Sequence, residues 1–93
     1  MTTVLITHEV ENSGHWAKAW HKGAGSRGEL MAKIGVTART FREPNSPNSV
    51  GLLLDVPDLT KFQAFMQSDE ARQAMAEDGV KPETIRMVSE FTA

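Results

Sequence analysis

Seven consecutive residues, Val50-Gly51-Leu52-Leu53-Leu54-Asp55-Val56, form the most apolar run in the chain. Turn-forming residues bound it on both sides, Pro44-Asn45-Ser46-Pro47-Asn48 before and Pro57-Asp58 after. A run this short, apolar on both side-chain parities and closed off by prolines, predicts a central β-strand rather than a buried helix. The remainder of the chain has to pair with this strand and cover it.

The flanking segments supply partners of both kinds. Thr3 to Val10 alternates Val4, Ile6, His8 and Val10 with Leu5, Thr7 and Glu9, which predicts a first strand. Asn12 or Ser13 then caps a helix over His15 to Lys22, with Trp16 and Trp20 one turn apart and Lys18, His21 and Lys22 near its negative end. The helix is expected to stop near Gly23. Ser26 followed by Glu29 is a capping-box pair, predicting a second helical piece from Arg27 to Lys33 that ends at Gly35 or just before it.

Ile34 to Glu43 reads as a second strand, joined through the Pro44–Ser49 loop to the apolar strand as a hairpin. Asp58 caps Leu59 to Gln67, where Leu59, Phe62, Phe65 and Met66 make an apolar stripe. Ser68 caps Asp69 to Asp78, closed by Gly79, and Lys81-Pro82 prevents continuation. Thr84 to Phe91 is the last strand.

Strand, helix, strand, strand, helix, strand is the split βαβ order of the α+β ferredoxin-like fold, a four-stranded antiparallel sheet with helices on one face. The 93 residues make a single domain, 1–93, whose core is marginal alone. On the uncovered face Leu5, Arg39, Phe41 and Leu53 are too apolar a set to stay wet, so a homodimer formed through that face is expected. Glu9 and Arg39 suit an ion pair in that interface.

With 10 basic and 12 acidic residues, and no basic run, the chain lacks the phosphate-neutralising surface of a nucleic-acid binder. It contains no cysteine, which removes disulfides, thiolate nucleophiles and cysteine-ligated metals. No segment reaches membrane-spanning length and the N-terminus has no signal-peptide pattern, so no membrane contact and a cytoplasmic location are expected.

Gly23-Ala24-Gly25-Ser26-Arg27-Gly28 fits G-x-G-x-x-G letter for letter. The dinucleotide fingerprint needs a strand before it and a full helix after it, whereas a tryptophan-bearing helix precedes these glycines, which read as a linker. His8, His15 and His21 lie seven and six residues apart, not at the i, i+4 spacing by which two helical histidines share a metal, so no metal site is expected.

His8 is the sharper signal, because it interrupts a face otherwise made of Val4, Ile6 and Val10. Two readings stay open: a half-buried ring satisfied by a backbone carbonyl, or a pocket residue that moves a proton near neutral pH. Trp16, Trp20, Phe62, Phe65, Met66 and Met75 likewise suit either a core or an apolar pocket wall, with His21 as the only other histidine near enough to help.

The tryptophan-bearing first helix, the segment from Phe62 to Val80 leading into a last strand, and the order of elements together resemble the dimeric α/β-barrel superfamily, in particular its antibiotic biosynthesis monooxygenase-like branch. The resemblance spans essentially the whole chain. It implies a barrel built across a homodimer and a pocket between each sheet and its own helices. It implies a small aromatic or polyketide-like ligand and a cofactor-independent monooxygenase, isomerase or cyclase, for which this chain's own candidate acid/base or orienting group is His8. The alternative it leaves is a non-catalytic dimer for ligand binding or assembly. Haem-degrading members carry a first-strand Asn where this chain has Thr7 and His8, and a Trp and His pair on a second helix that here has neither. Quinone-forming members use a Tyr, and this chain has none.

Overall fold

A computed structural model describes residues 2–21 and 25–91. Its strands are β1 (Thr2–Glu9), β2 (Thr37–Glu43), β3 (Ser46–Val56) and β4 (Arg86–Ser89), and its helices are α1 (Ser13–His21), α2 (Arg27–Ala32), α3 (Leu59–Met66) and α4 (Asp69–Glu77). They build one antiparallel sheet in the order β2-β3-β1-β4. The apolar run is central, paired with β2 on one edge and β1 on the other. The fold is therefore α+β and ferredoxin-like.

Strand alternation sets which face the helices cover. Val4, Ile6 and His8 of β1 and Val50, Leu52, Leu54 and Val56 of β3 are buried, and Trp16, Trp20, Met31 and Phe62 pack on them from the helices. Burying each aliphatic side chain in such a layer is worth about 1.5–3 kcal/mol, so a one-residue slip of either central strand would forfeit the whole face.

The helices start where the sequence offers caps. Asn12 accepts the His15 N–H, Ser26 that of Glu29, Asp58 that of Lys61 and Ser68 that of Ala71, each through a side-chain oxygen. The stop expected near Gly23 lies outside the described residues. Gly79, at φ 74°, follows α4 in the left-handed conformation that ends a helix.

Three boundaries differ from expectation. Strand β2 starts at Thr37, not Ile34, because the Ile34 and Val36 amides both donate to the Met31 carbonyl and hold the chain in the turn after α2. Gly35 allows that turn at φ 75°. The loop expected over Pro44–Ser49 shrinks to a two-residue turn at Pro44 and Asn45. Pairing shifts register between Arg42 and Glu43, so Pro47 sits in β3 at an irregularity where a missing N–H costs no ladder bond. The last strand shortens to Arg86–Ser89, preceded by a 3-10 turn at Pro82–Thr84.

Candidate functional site

The buried face of the sheet is interrupted at one residue. His8 sits on the helix-facing side of β1, opposite Val50 of β3, and is 7% exposed. The edge of its ring meets Trp16, with centroids 5.8 Å apart and planes at 75°, and Trp16 in turn packs on Trp20 at 6.2 Å. The ring is thus held between a strand and α1. Its Nδ1 is buried and has no hydrogen-bond partner among the described residues.

A buried polar atom left unpaired costs free energy, about 1–3 kcal/mol, and such an atom calls for a structural reason. Here it belongs to a residue on the wall of a cavity of about 60 Å³ between the sheet and the helices, whose lining is otherwise almost entirely apolar. Trp20, Met31, Phe65, Met66 and Met75 are among its apolar lining residues. Burial lowers the His8 pKa below its usual value, opposed by its contact with the Glu9 backbone and by the charge of Asp78. The ring is therefore neutral at pH 7, and one of its nitrogens can accept a hydrogen bond or a proton.

At the helix side of the same cavity lies an ion pair. Arg27, the first residue of α2, donates from Nε to Asp78 Oδ2 at 2.8 Å and from Nη2 to Asp78 Oδ1 at 2.9 Å. Asp78, just past α4, is 4% exposed. The two-point geometry raises the Arg27 pKa, chiefly through the Asp78 hydrogen bonds, and ties α2 to the end of α4.

Of the residues singled out from the sequence, His8, Trp20, Phe65 and Met66 line this cavity together. Trp16 lies behind His8, in contact with the ring. His21 is exposed on the far end of α1, where its Nε2 is hydrogen bonded to the Thr40 hydroxyl at 2.7 Å, away from the cavity. Met75, which the sequence also offered as core or wall, lines it too, whereas Arg27, Asp78 and Met31 are cavity residues that the sequence did not place there. Arg27 and Asp78 lie 51 positions apart, and nothing local to either marks the pairing. Among the described residues, no three potential ligands converge as a metal site.

On the open face the registers align Arg39, Leu53, Leu5 and Val88 across all four strands. Leu5 is 43% exposed and Val88 58%. Phe41 borders this row, with the Arg39 guanidinium 5.5 Å from its ring centre. Beside them a depression of about 550 Å³ centres on Gly51, whose missing side chain leaves the floor between Phe41 and Thr7 open. No helix among the described residues is long and apolar enough to cross a membrane.

This architecture recurs in solved structures. A protein described as a candidate antibiotic biosynthesis monooxygenase from Deinococcus radiodurans superposes with a TM-score of 0.70 at 9% identity, over 100% of this chain and 93% of that one. One so described from Bordetella bronchiseptica gives 0.69 at 15% identity, over 99% and 96%. Another from Nitrosomonas europaea gives 0.69 at 10% identity, over 99% and 98%. No protein-family model and no curated protein matches the sequence. At these identities the likeness shows the fold, and it is the fold that the sequence resemblance implied.

Proposed function

We propose that this chain, which has the fold of the antibiotic biosynthesis monooxygenase-like proteins, binds a small ring-containing molecule in the cavity between sheet and helices, with His8 as its polar anchor. The observation that carries this reading is the unpartnered Nδ1 of His8 on an apolar cavity wall. A ligand hydroxyl that reaches that atom would satisfy it, and the polar groups of the lining, Arg27 and Asp78, are already paired with each other.

Size narrows the ligand. A cavity of about 60 Å³ is smaller than the roughly 150 Å³ that takes up benzene, and far below the roughly 300–1,000 Å³ of common ligand sites. Met31, Met66 and Met75 make its walls adaptable, since unbranched thioether side chains repack at low cost. A phenol or enol requires only such repacking, whereas a polyketide-sized molecule exceeds it by far.

The catalytic form of this reading gives His8 the proton of a phenol or enol O–H, producing imidazolium and a phenolate or enolate held in an apolar site. That is the step a cofactor-independent monooxygenase, isomerase or cyclase needs from its base. The small cavity favours a second reading, a ligand-binding homodimer without turnover. The two part on one experiment. Titrating phenol and 1-naphthol against the protein while following its ring-proton NMR signals, and then assaying oxygen uptake and product formation, is expected to show binding that His8→Phe weakens at least tenfold. Binding without turnover supports the non-catalytic form. Absence of any binding by the wild-type protein overturns both.

A further inference from the structure

Proton transfer to His8 has an electrostatic requirement that the ring itself does not meet. An imidazolium in an apolar cavity lacks the water that would stabilise it, so a neutral base buried there holds a proton only if a negative charge sits close by. The surroundings of the ring supply few candidates. Helix α1 offers Trp16, which carries no charge, and α3 offers the uncharged Phe65 and Met66. Glu9 follows His8 on β1 on the opposite side-chain parity and is exposed, and it lines, with His8 itself and Arg42 and Glu43 of β2, the open depression on the other face, where solvent screens its charge. Arg27 of α2 and Asp78 after α4 line the same cavity as the ring.

We propose that Asp78 is the counter-charge that lets His8 hold a proton inside the cavity, and that Arg27 sets how much of that charge the ring experiences. Three observations converge on this assignment. Asp78 is buried in the same cavity wall as His8, with almost no water to screen it. Arg27 grips both of its oxygens, which fixes the carboxylate and compensates part of its charge. A carboxylate in that wall favours the protonated ring, in the direction opposite to the larger effect of burial. Glu77, at 3.5 Å from Arg27 and exposed, adds a weaker pull on the same guanidinium.

The proposal rests on His8 being the proton-accepting group of the proposed site. Asp78 would then be a positioning residue, because it acts on substrate only through His8. Its distinctive consequence is that the two partners of one ion pair should move the His8 titration in opposite directions. Removing Asp78 removes the negative charge and leaves a bare guanidinium, so the ring should become a weaker base. Removing the Arg27 charge frees the carboxylate, so the ring should become a stronger one. A merely structural role for the pair would move both variants the same way, through shared loosening of α2.

NMR titration of the His8 ring in the ligand-free, full-length protein tests this. Relative to wild type, Asp78→Asn should lower the midpoint and Arg27→Gln should raise it, each by roughly half a pH unit or more, the size expected of a nearby charge acting through a protein interior. Arg27→Lys, which keeps the charge, should stay close to wild type. Shifts of the same sign, no shift in either variant, or a wild-type ring that takes up no proton before acid unfolding would overturn the proposal. Where Asp78→Asn fails to fold, the sign of the Arg27→Gln shift decides alone. Phenol binding is measured separately, so a cavity that ignores every ligand defeats the functional reading while leaving this titration result intact.

Discussion

At the scale of single residues, His8 makes the chain's stability depend on pH in a specified direction. Its folded pKa lies below the ordinary value of about 6.5, so between the two values the unfolded chain binds the proton and the native chain does not. Stability is then complete above about pH 6.5 and falls as pH drops through the window beneath it. Urea midpoints measured from pH 7 to pH 5 should decline in the wild type, and the decline should be smaller in His8→Phe. A slope that is identical in the two proteins would contradict burial of the ring. A second comparison separates core from wall along α3. Phe62 is fully buried, whereas Phe65 is half-buried and borders the cavity. Phe62→Ala should cost about 3–5 kcal/mol, and Phe65→Ala clearly less, in denaturant unfolding. The apolar stripe of α3 was legible in the sequence, since helical spacing marks the residues that face the sheet. Which of its aromatics sits at the centre and which at the edge depends on where α4 crosses, and no local pattern records that. His8 stood out for the opposite reason, as a polar residue on an aliphatic parity. The partner charges on Arg27 and Asp78 did not, because each alone looks like an ordinary helix-terminal residue.

At the scale of elements, boundaries followed the capping chemistry wherever a side chain makes the cap. Ser26, Asp58 and Ser68 each bond the amide three residues on, and α2, α3 and α4 begin directly after them. Prediction failed where a backbone bond decides. Ile34 and Val36 have the alternation of a strand, but their amides are taken by the Met31 carbonyl. Gly35 is the pivot of that turn. A Cβ there would meet Pro57 Cγ at 3.0 Å, and the positive φ adds strain to any side chain. Gly35→Ala should therefore destabilise by about 1–2 kcal/mol or more in urea unfolding, whereas a change within experimental error would show that the turn relaxes freely.

At the scale of the whole molecule, the open face is the dominant unfinished surface. Arg39, Leu53, Leu5 and Val88 cross the sheet in one row, with Phe41 beside them. A homodimer through this face is the arrangement we propose, and a stable one should bury more than about 1,000 Å² in total. Leu53→Asp places an unpaired charge at the centre of that row and should convert a dimer to monomers in sedimentation, with far-UV CD unchanged. A wild-type protein that sediments as a monomer at micromolar concentration would end the dimer reading. The row was partly legible, because alternation assigns Leu5, Arg39, Phe41 and Leu53 to one face. Val88 completes it only once the register of the last strand is known.

The strand order also carries a consequence in time. Strands β2 and β3 are joined by the turn at Pro44 and Asn45, so their ladder can zip from a closed end. Strand β1 meets β3 no nearer than Glu9 with Ser49, 40 positions apart, and its pairing with β4 brings together the two ends of the chain. Bringing distant segments together loses entropy before any contact compensates, and the loss grows with the length of the loop. The hairpin is thus the natural nucleus, and β1 docks later. It follows that the His8 cavity is among the last parts of the molecule to exist during folding: its wall is complete only when the first strand has slotted between the third and the fourth.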